Sequence, residues 1–249
     1  MINTILFDLD GTLLLFSQAE FIDAYFSKLG TVFNRLGLDS GAAIKAVWTG
    51  TKAMVLNDGS RANAECFWEE FAKCTDLTDK RKKAVESACD DFYSNEFDSV
   101  KSVMIPTDIS KRLVRSLQSR GYSIILATNP LFPACAVTTR LGWIGLEPDD
   151  FTLITHYSNS TYCKPNPGYY LEIFKKAGKA PEQCLMVGNN PVEDMSVGAL
   201  GASTFLVTDC LENETGVDIT AFRQGTLAEL EASLASLPDI SSFFAFCPG

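Results

Sequence analysis

Five short runs of apolar residues constrain the fold most. They cover residues 5–7, 123–127, 151–155, 184–187 and 204–207. They are continuous rather than alternating, and Asp8, Thr128, Gly188 and Thr208 follow four of them directly. Continuous runs of this length suit strands covered on both faces, as in a parallel sheet. Helical patterns at 109–121, 133–141, 167–178 and 192–200 separate the later runs. Gly121 and Gly178 stand where helix C-caps are expected. Alternating strand and helix implies an α/β fold, a doubly wound parallel sheet.

Residues 14–103 break that rhythm. The block holds no convincing strand, and its patterns at 19–36, 41–55, 64–73 and 79–95 are amphipathic and helical. In the first, Phe21, Tyr25, Leu29, Val32 and Leu36 recur at steps of three and four. The expected organisation is a core built from residues 1–14 and 104–249, with residues 15–103 as a small all-helical lid.

Composition excludes several classes. The 31 acidic against 21 basic residues give a net charge of −10, which disfavours a nucleic-acid partner. The basic run at 80–83 reads as a solvated helix face. No apolar stretch approaches the ~18 residues of a membrane span. The eight cysteines form no C-x-x-C pair, and no signal pattern precedes the first strand, so reduced thiols and a cytoplasmic location are expected. A zinc site would want more than the single histidine, His156. The apolar tail with Phe243, Phe244 and Phe246 is expected to dock on the domain or on a second copy, as in a homodimer.

The chemistry-bearing residues cluster at strand ends. Asp8-Leu9-Asp10-Gly11-Thr12 follows the first run, where open parallel sheets bind ligands. Two carboxylates spaced by one residue can share a divalent cation, and Gly11 allows a sharp turn. Taken alone, this is also an ordinary strand-to-turn pattern. Thr128 and Asn129 close the second run, Lys164 follows the third, and Asp194 follows the fourth within Gly188-Asn189-Asn190-Pro191-Val192-Glu193-Asp194. One sheet rim thus gathers carboxylates, a hydroxyl and an ammonium, a set suited to a phosphoryl group with magnesium.

In these residues the chain resembles the haloacid dehalogenase superfamily of hydrolases, mostly phosphatases, over its whole length. Asp8-Leu9-Asp10-Gly11-Thr12, Thr128, Lys164-Pro165 and the Gly188–Asp194 segment stand in the order of its four signatures. The resemblance implies a Rossmann-like core with a helical cap inserted after the first strand. It implies that Asp8 is the nucleophile, forming an aspartyl-phosphate, and that Asp10 is the general acid and base. Dehalogenating and phosphonate-cleaving members lack a carboxylate at the position of Asp10, so phosphate esters are favoured. Thr128 and the amide of Asn129 would hold phosphate oxygens, together with the turn at Gly11 and Thr12. Lys164 would neutralise charge. Mg2+ would be held by Asp8, the carbonyl of Asp10, Asn189 and Asp194. Members usually carry an acid where this chain has Asn189, which is expected to weaken the metal site; Glu193 is expected to point elsewhere.

The implied activity is magnesium-dependent hydrolysis of a small phosphorylated metabolite. A phosphomutase and a non-catalytic binding protein are the alternatives. Lys52, Asn57 and Arg61, near a turn at residues 57–60, are candidate substrate contacts in the lid, and Phe132 is a candidate pocket wall. His156 is expected to be a packed or surface residue, since Asp10 already fills the proton-transfer role.

Overall fold

The computed structural model describes residues 1–241. The apolar tail and its expected interface lie outside the described residues. Six parallel strands form one sheet in the order β3-β2-β1-β4-β5-β6. They are β1 (Thr4–Phe7), β2 (Ser123–Leu126), β3 (Leu153–Ile154), β4 (Cys184–Gly188), β5 (Ser203–Val207) and β6 (Gln224–Gly225). β1 lies between β2 and β4, with Phe7 opposite Leu126 on one side and Val187 on the other. Side chains alternate between two apolar layers. Ile5 and Phe7 face one, and Leu6 faces the other with Tyr169, Tyr170 and Ile173. Burial on both faces explains why the strands read as unbroken apolar runs.

The first layer continues into four helices between β1 and β2: α1 (Gln18–Arg35), α2 (Ser40–Val55), α3 (Asn63–Thr75) and α4 (Asp79–Asn95). One apolar cluster holds Ile5 and Phe7 of the sheet together with Phe21, Tyr25, Phe33 and Phe71 of these helices. Asp39 starts α2 by accepting from the Ala42 N–H at 2.8 Å. The two connections between helical block and sheet run side by side. Phe16 bridges Met104, and the Ile105 N–H donates to the Leu15 carbonyl at 2.8 Å.

The remaining helices are α5 (Ile109–Ser119), α6 (Ala134–Trp143), α7 (Pro167–Ala177) and α8 (Leu227–Ala235). Gly178 ends α7 at φ 62°, and Gly121 follows α5 at φ 85°, both in the left-handed region glycine favours. The expected α-helix at 192–200 is instead a 3-10 helix over Met195–Leu200. A turn over residues 191–194 takes up its first residues, and Gly201 at φ 100° stops it. β6 and α8 have no counterpart in the sequence reading. Among the described residues, the seven cysteines are free, and no helix is long and apolar enough to cross a membrane.

Candidate active site

Asp8 leaves β1 at the point where the chain order reverses across the sheet, the usual ligand crevice of such folds. Its N–H still donates to the Val187 carbonyl of β4 at 2.9 Å, so the backbone is held while the side chain is aimed beyond the strand. Lys164 Nζ donates to Asp8 Oδ1 at 2.8 Å and to Asp194 Oδ1 at 2.6 Å. All three side chains are more than nine-tenths buried. The other Asp194 oxygen accepts from the Asn190 N–H at 3.0 Å. Burial pushes the Asp8 carboxyl well above its ordinary range, with Lys164 pulling the other way. Burial alone would lower the Lys164 ammonium, but Asp194 and Asp8 overcome it and hold the pKa well above the usual value.

Two glycines make room for this arrangement. Gly11 has φ +76°, and a Cβ there would stand 2.1 Å from Asn189 Nδ2. A Cβ on Gly188 would stand 2.2 Å from the Asp194 carboxyl. Either substitution would force the loop after β1 or after β4 out of place.

Asn189 is pinned at both ends of its amide. Nδ2 donates to the Cys210 carbonyl at 2.7 Å, and Oδ1 accepts from Thr12 Oγ1 at 3.2 Å. Thr12 is fully buried, so its hydroxyl orients Asn189 from behind. Thr128 is nearly buried, and its carbonyl accepts from Thr155 Oγ1 at 2.7 Å and Tyr169 OH at 2.9 Å. Asn129 Nδ2 donates to Glu193 at 3.0 Å, and Asn129 Oδ1 accepts from the Lys164 N–H at 3.3 Å. Glu193 therefore faces the site, against expectation. The Asn190 side chain accepts from the Val192 and Glu193 N–H groups and turns the chain that way.

Asp10 has a partner that sequence reasoning missed. Arg140 of α6 is completely buried, ion-pairs with Asp10 Oδ2, and lies 4.3 Å from the centroid of the Phe132 ring. Asp10 Oδ1 is buried without a partner. Arg140 stands on the apolar side of its helix with Ala136, Val137 and Leu141, a position where arginine is out of place without a buried acid.

Asp8, Asp10, Thr128, Asn129, Asn189 and Asp194 all border one chamber of about 220 Å3, as does the expected wall residue Phe132. Glu193 and Glu212 join them, and burial raises the Glu212 carboxyl to about 7. The structure does not bring Lys52 or Arg61 to this chamber. Lys52 is exposed on α2, and Arg61 is ion-paired with Glu69 on the outer side of α3. Asn57 is buried and structural, donating to the Arg61 carbonyl and to Asn63 Oδ1, each at 2.8 Å. His156 is half-buried and lies outside the chamber.

The model of the haloacid dehalogenase-like hydrolases matches residues 2–200. The chain belongs to this family. Among solved structures, an HAD phosphatase from Thermococcus onnurineus has a TM-score of 0.58 at 18% identity, covering 94% of this chain and 98% of its own. A 2-haloacid dehalogenase from Pseudomonas syringae pv. Tomato DC3000 has a TM-score of 0.59 at 16% identity, covering 94% and 99%. The HAD hydrolase YfnB from Bacillus subtilis, bound to magnesium, has a TM-score of 0.58 at 18% identity, covering 94% and 99%. No curated protein sequence matches the chain. These structural likenesses establish the fold, which hosts both phosphate and halide chemistry, so the reaction has to be argued from the residues.

Hydrolases of this family typically use Mg2+, and the chamber suits such an ion. Five carboxylates line it, Asp8, Asp10, Glu193, Asp194 and Glu212, and no lysine or arginine among the described residues does. The orphaned Asp10 oxygen is an acceptor without a partner at the chamber, and burial raises Glu212 beside it. Oxygen-only donors are the chemistry of a hard divalent cation. Among the described residues no three acidic, His or Cys side chains converge enough to hold a metal by themselves. Neutral oxygens would therefore complete the set.

Proposed function

We propose that this hydrolase is a magnesium-dependent phosphoric monoester hydrolase of a small molecule, working through an aspartyl-phosphate. The observation that carries the reading is a buried carboxylate, Asp8, locked by Lys164 to Asp194, with a second carboxylate, Asp10, lining the same chamber. A dehalogenase needs no acid at that second position, whereas an alkoxide leaving group needs a proton.

Asp8 attacks phosphorus, and the leaving oxygen takes a proton from Asp10. Water then attacks the aspartyl-phosphate, with Asp10 accepting its proton. Arg140 fixes one Asp10 oxygen and leaves the other free for this exchange. Thr128 Oγ1 and the Asn129 N–H hold phosphate oxygens, and Lys164 offsets the charge of the nucleophile and the transferred group. Mg2+ would be held by Asp8, the Asp10 carbonyl and Asn189 Oδ1, with Asp194 behind. When bound, it supplies positive charge for the phosphoryl oxygens and keeps Asp8 ionised. Helices α1–α4 act as the lid that excludes water.

The test is p-nitrophenyl phosphate turnover with and without Mg2+, for wild type and Asp8→Asn. Magnesium-dependent release that Asp8→Asn abolishes is the expected result. Release that persists in Asp8→Asn would overturn the assignment.

A further inference from the structure

The catalytic residues occupy one end of the chamber only. The other end is built by the helical block and is mostly apolar, with aromatic side chains in the majority and Ile22, Leu29 and Val47 among them. Phe21 and Tyr25 of α1, Phe67 and Phe71 of α3, Tyr93 of α4 and Phe132 all line it. Its polar side chains are few, Gln18 and Thr51 beside tyrosine hydroxyls that already have partners. Tyr25 and Tyr93 are hydrogen-bonded to each other at 2.6 Å, and Tyr157 OH accepts from Trp68 Nε1 at 3.3 Å. A polyol would find few free partners there, and each hydroxyl buried without one is costly. A leaving group with its own carboxylate or second phosphate would find no lysine or arginine lining the helical end among the described residues, since Lys164 and Arg140 are committed to Asp8, Asp194 and Asp10. Arg61, the nearest basic residue of the loop before α3, is taken by Glu69 outside.

We infer that the substrate is the phosphate monoester of a neutral, apolar alcohol, aromatic or branched alkyl, whose hydrocarbon part fills the aromatic end of this chamber. The inference rests on the phosphatase reading above and specifies its substrate class. Size agrees with it. An apolar cavity of about 150 Å3 holds benzene, so about 220 Å3 shared with a phosphoryl group takes roughly one ring with a short linker. Trp48 of α2 also lines the chamber, is half exposed, and packs tilted against Phe26 with ring centroids 5.2 Å apart. It supplies an apolar rim where such an alcohol would enter.

The experiment compares alkyl phosphates, so that intrinsic leaving-group reactivity does not dominate. With the full chain and Mg2+, kcat/KM is measured for 2-phenylethyl phosphate, glycerol phosphate and phosphoglycolate. Acetyl phosphate, which carries no apolar group, serves as the control for phosphoryl transfer to Asp8. The expected preference for 2-phenylethyl phosphate over both others is on the order of 10- to 100-fold, the worth of burying one aromatic ring. Trp48→Ala, a change at an exposed position, is expected to shrink that preference several-fold, mainly through KM. If acetyl phosphate is turned over by wild type and not by Asp8→Asn, yet glycerol phosphate or phosphoglycolate equals or beats the phenylethyl ester, the substrate class is refuted and the phosphatase reading stands. If no phosphate compound is turned over, both fall.

Discussion

Lys164→Met tests the electrostatic centre of the site most directly. The ammonium sits 2.8 Å from Asp8 and 2.6 Å from Asp194 in a nearly dry environment. At an effective dielectric of about 20, each contact is worth roughly 6 kcal/mol of Coulomb attraction, much of it cancelled by desolvation of the three charges. Methionine fills the space of the lysine stem, so packing is largely kept. What remains is two buried carboxylates facing each other, and breaking a buried pair in this way costs about 3–5 kcal/mol. For a chain of this size that corresponds to a fall in Tm of roughly 6–20 °C. Urea melts in EDTA measure it, with an unchanged m-value as the check that the fold is kept. In the variant the folded state binds protons that the unfolded state has released, because Asp8 loses the charge that opposed its burial. The deficit should therefore shrink as pH falls from 8 towards 5. Asp194→Asn should cost less in the Lys164→Met background than in wild type, with a coupling of about 1–3 kcal/mol. A Lys164→Met loss below about 1 kcal/mol, or additive effects of the two changes, would refute the buried-triad argument.

Asn189→Asp replaces an amide donor with a carboxylate facing the Cys210 carbonyl at 2.7 Å. It should lose about 1–3 kcal/mol in a urea melt rather than improve the site, since it sets a carboxylate against a part-buried carbonyl left without its donor. Arg140→Met removes the buried charged partner of Asp10 and should lower kcat more than it raises KM, with a stability loss of about 2–4 kcal/mol. Retention of full kcat would show that Asp10 needs no fixing from behind. His156 gives a pH signature of its own. Burial, with Lys176 nearby, lowers its imidazole below 6.5, so the unfolded state binds the proton first. Its stability contribution is intact above 6.5 and is lost as pH falls through that range. NMR titration of this single imidazole should give a midpoint below 6.5, and a midpoint above it would contradict the burial.

The sheet was legible because β1, β2 and β4 are buried on both faces and have to be continuous apolar runs. β6 was not, because Gln224–Gly225 is a two-residue edge strand with no apolar side chain. The helices of residues 18–95 were legible from periodicity, since each buries one stripe only. Asp8, Asp10, Lys164 and Asp194 were legible because strand ends converge in any doubly wound sheet. The chamber contacts from residues 18–95 were not. Lys52 and Arg61 were picked for charge near a turn, whereas the chamber is walled by residues that also read as helix core, such as Tyr25 and Phe71. Periodicity cannot separate a core aromatic from a pocket aromatic. Arg140 was missed because its partner lies 130 residues away, although an arginine on the apolar side of α6 was the available signal.

Buried charges say more about purpose than about stability. Replacing a buried ion cluster with apolar residues of similar volume is often neutral or stabilising. Nothing in the core between β1 and β4 requires Asp8, Lys164 and Asp194 for folding, because apolar side chains would fill that space without desolvating three ions. The same holds for Arg140 behind Asp10. Fold stability alone therefore does not account for these four charges on three connections and one helix, gathered around the carboxylates of one chamber. A site that must hold a carboxylate nucleophile ionised in a dry environment does account for them. The aromatic end of the chamber completes the argument. Under the proposed function it would keep water from the reacting phosphoryl group, which would strengthen each of those charges, and would leave the leaving group to be recognised by apolar contact.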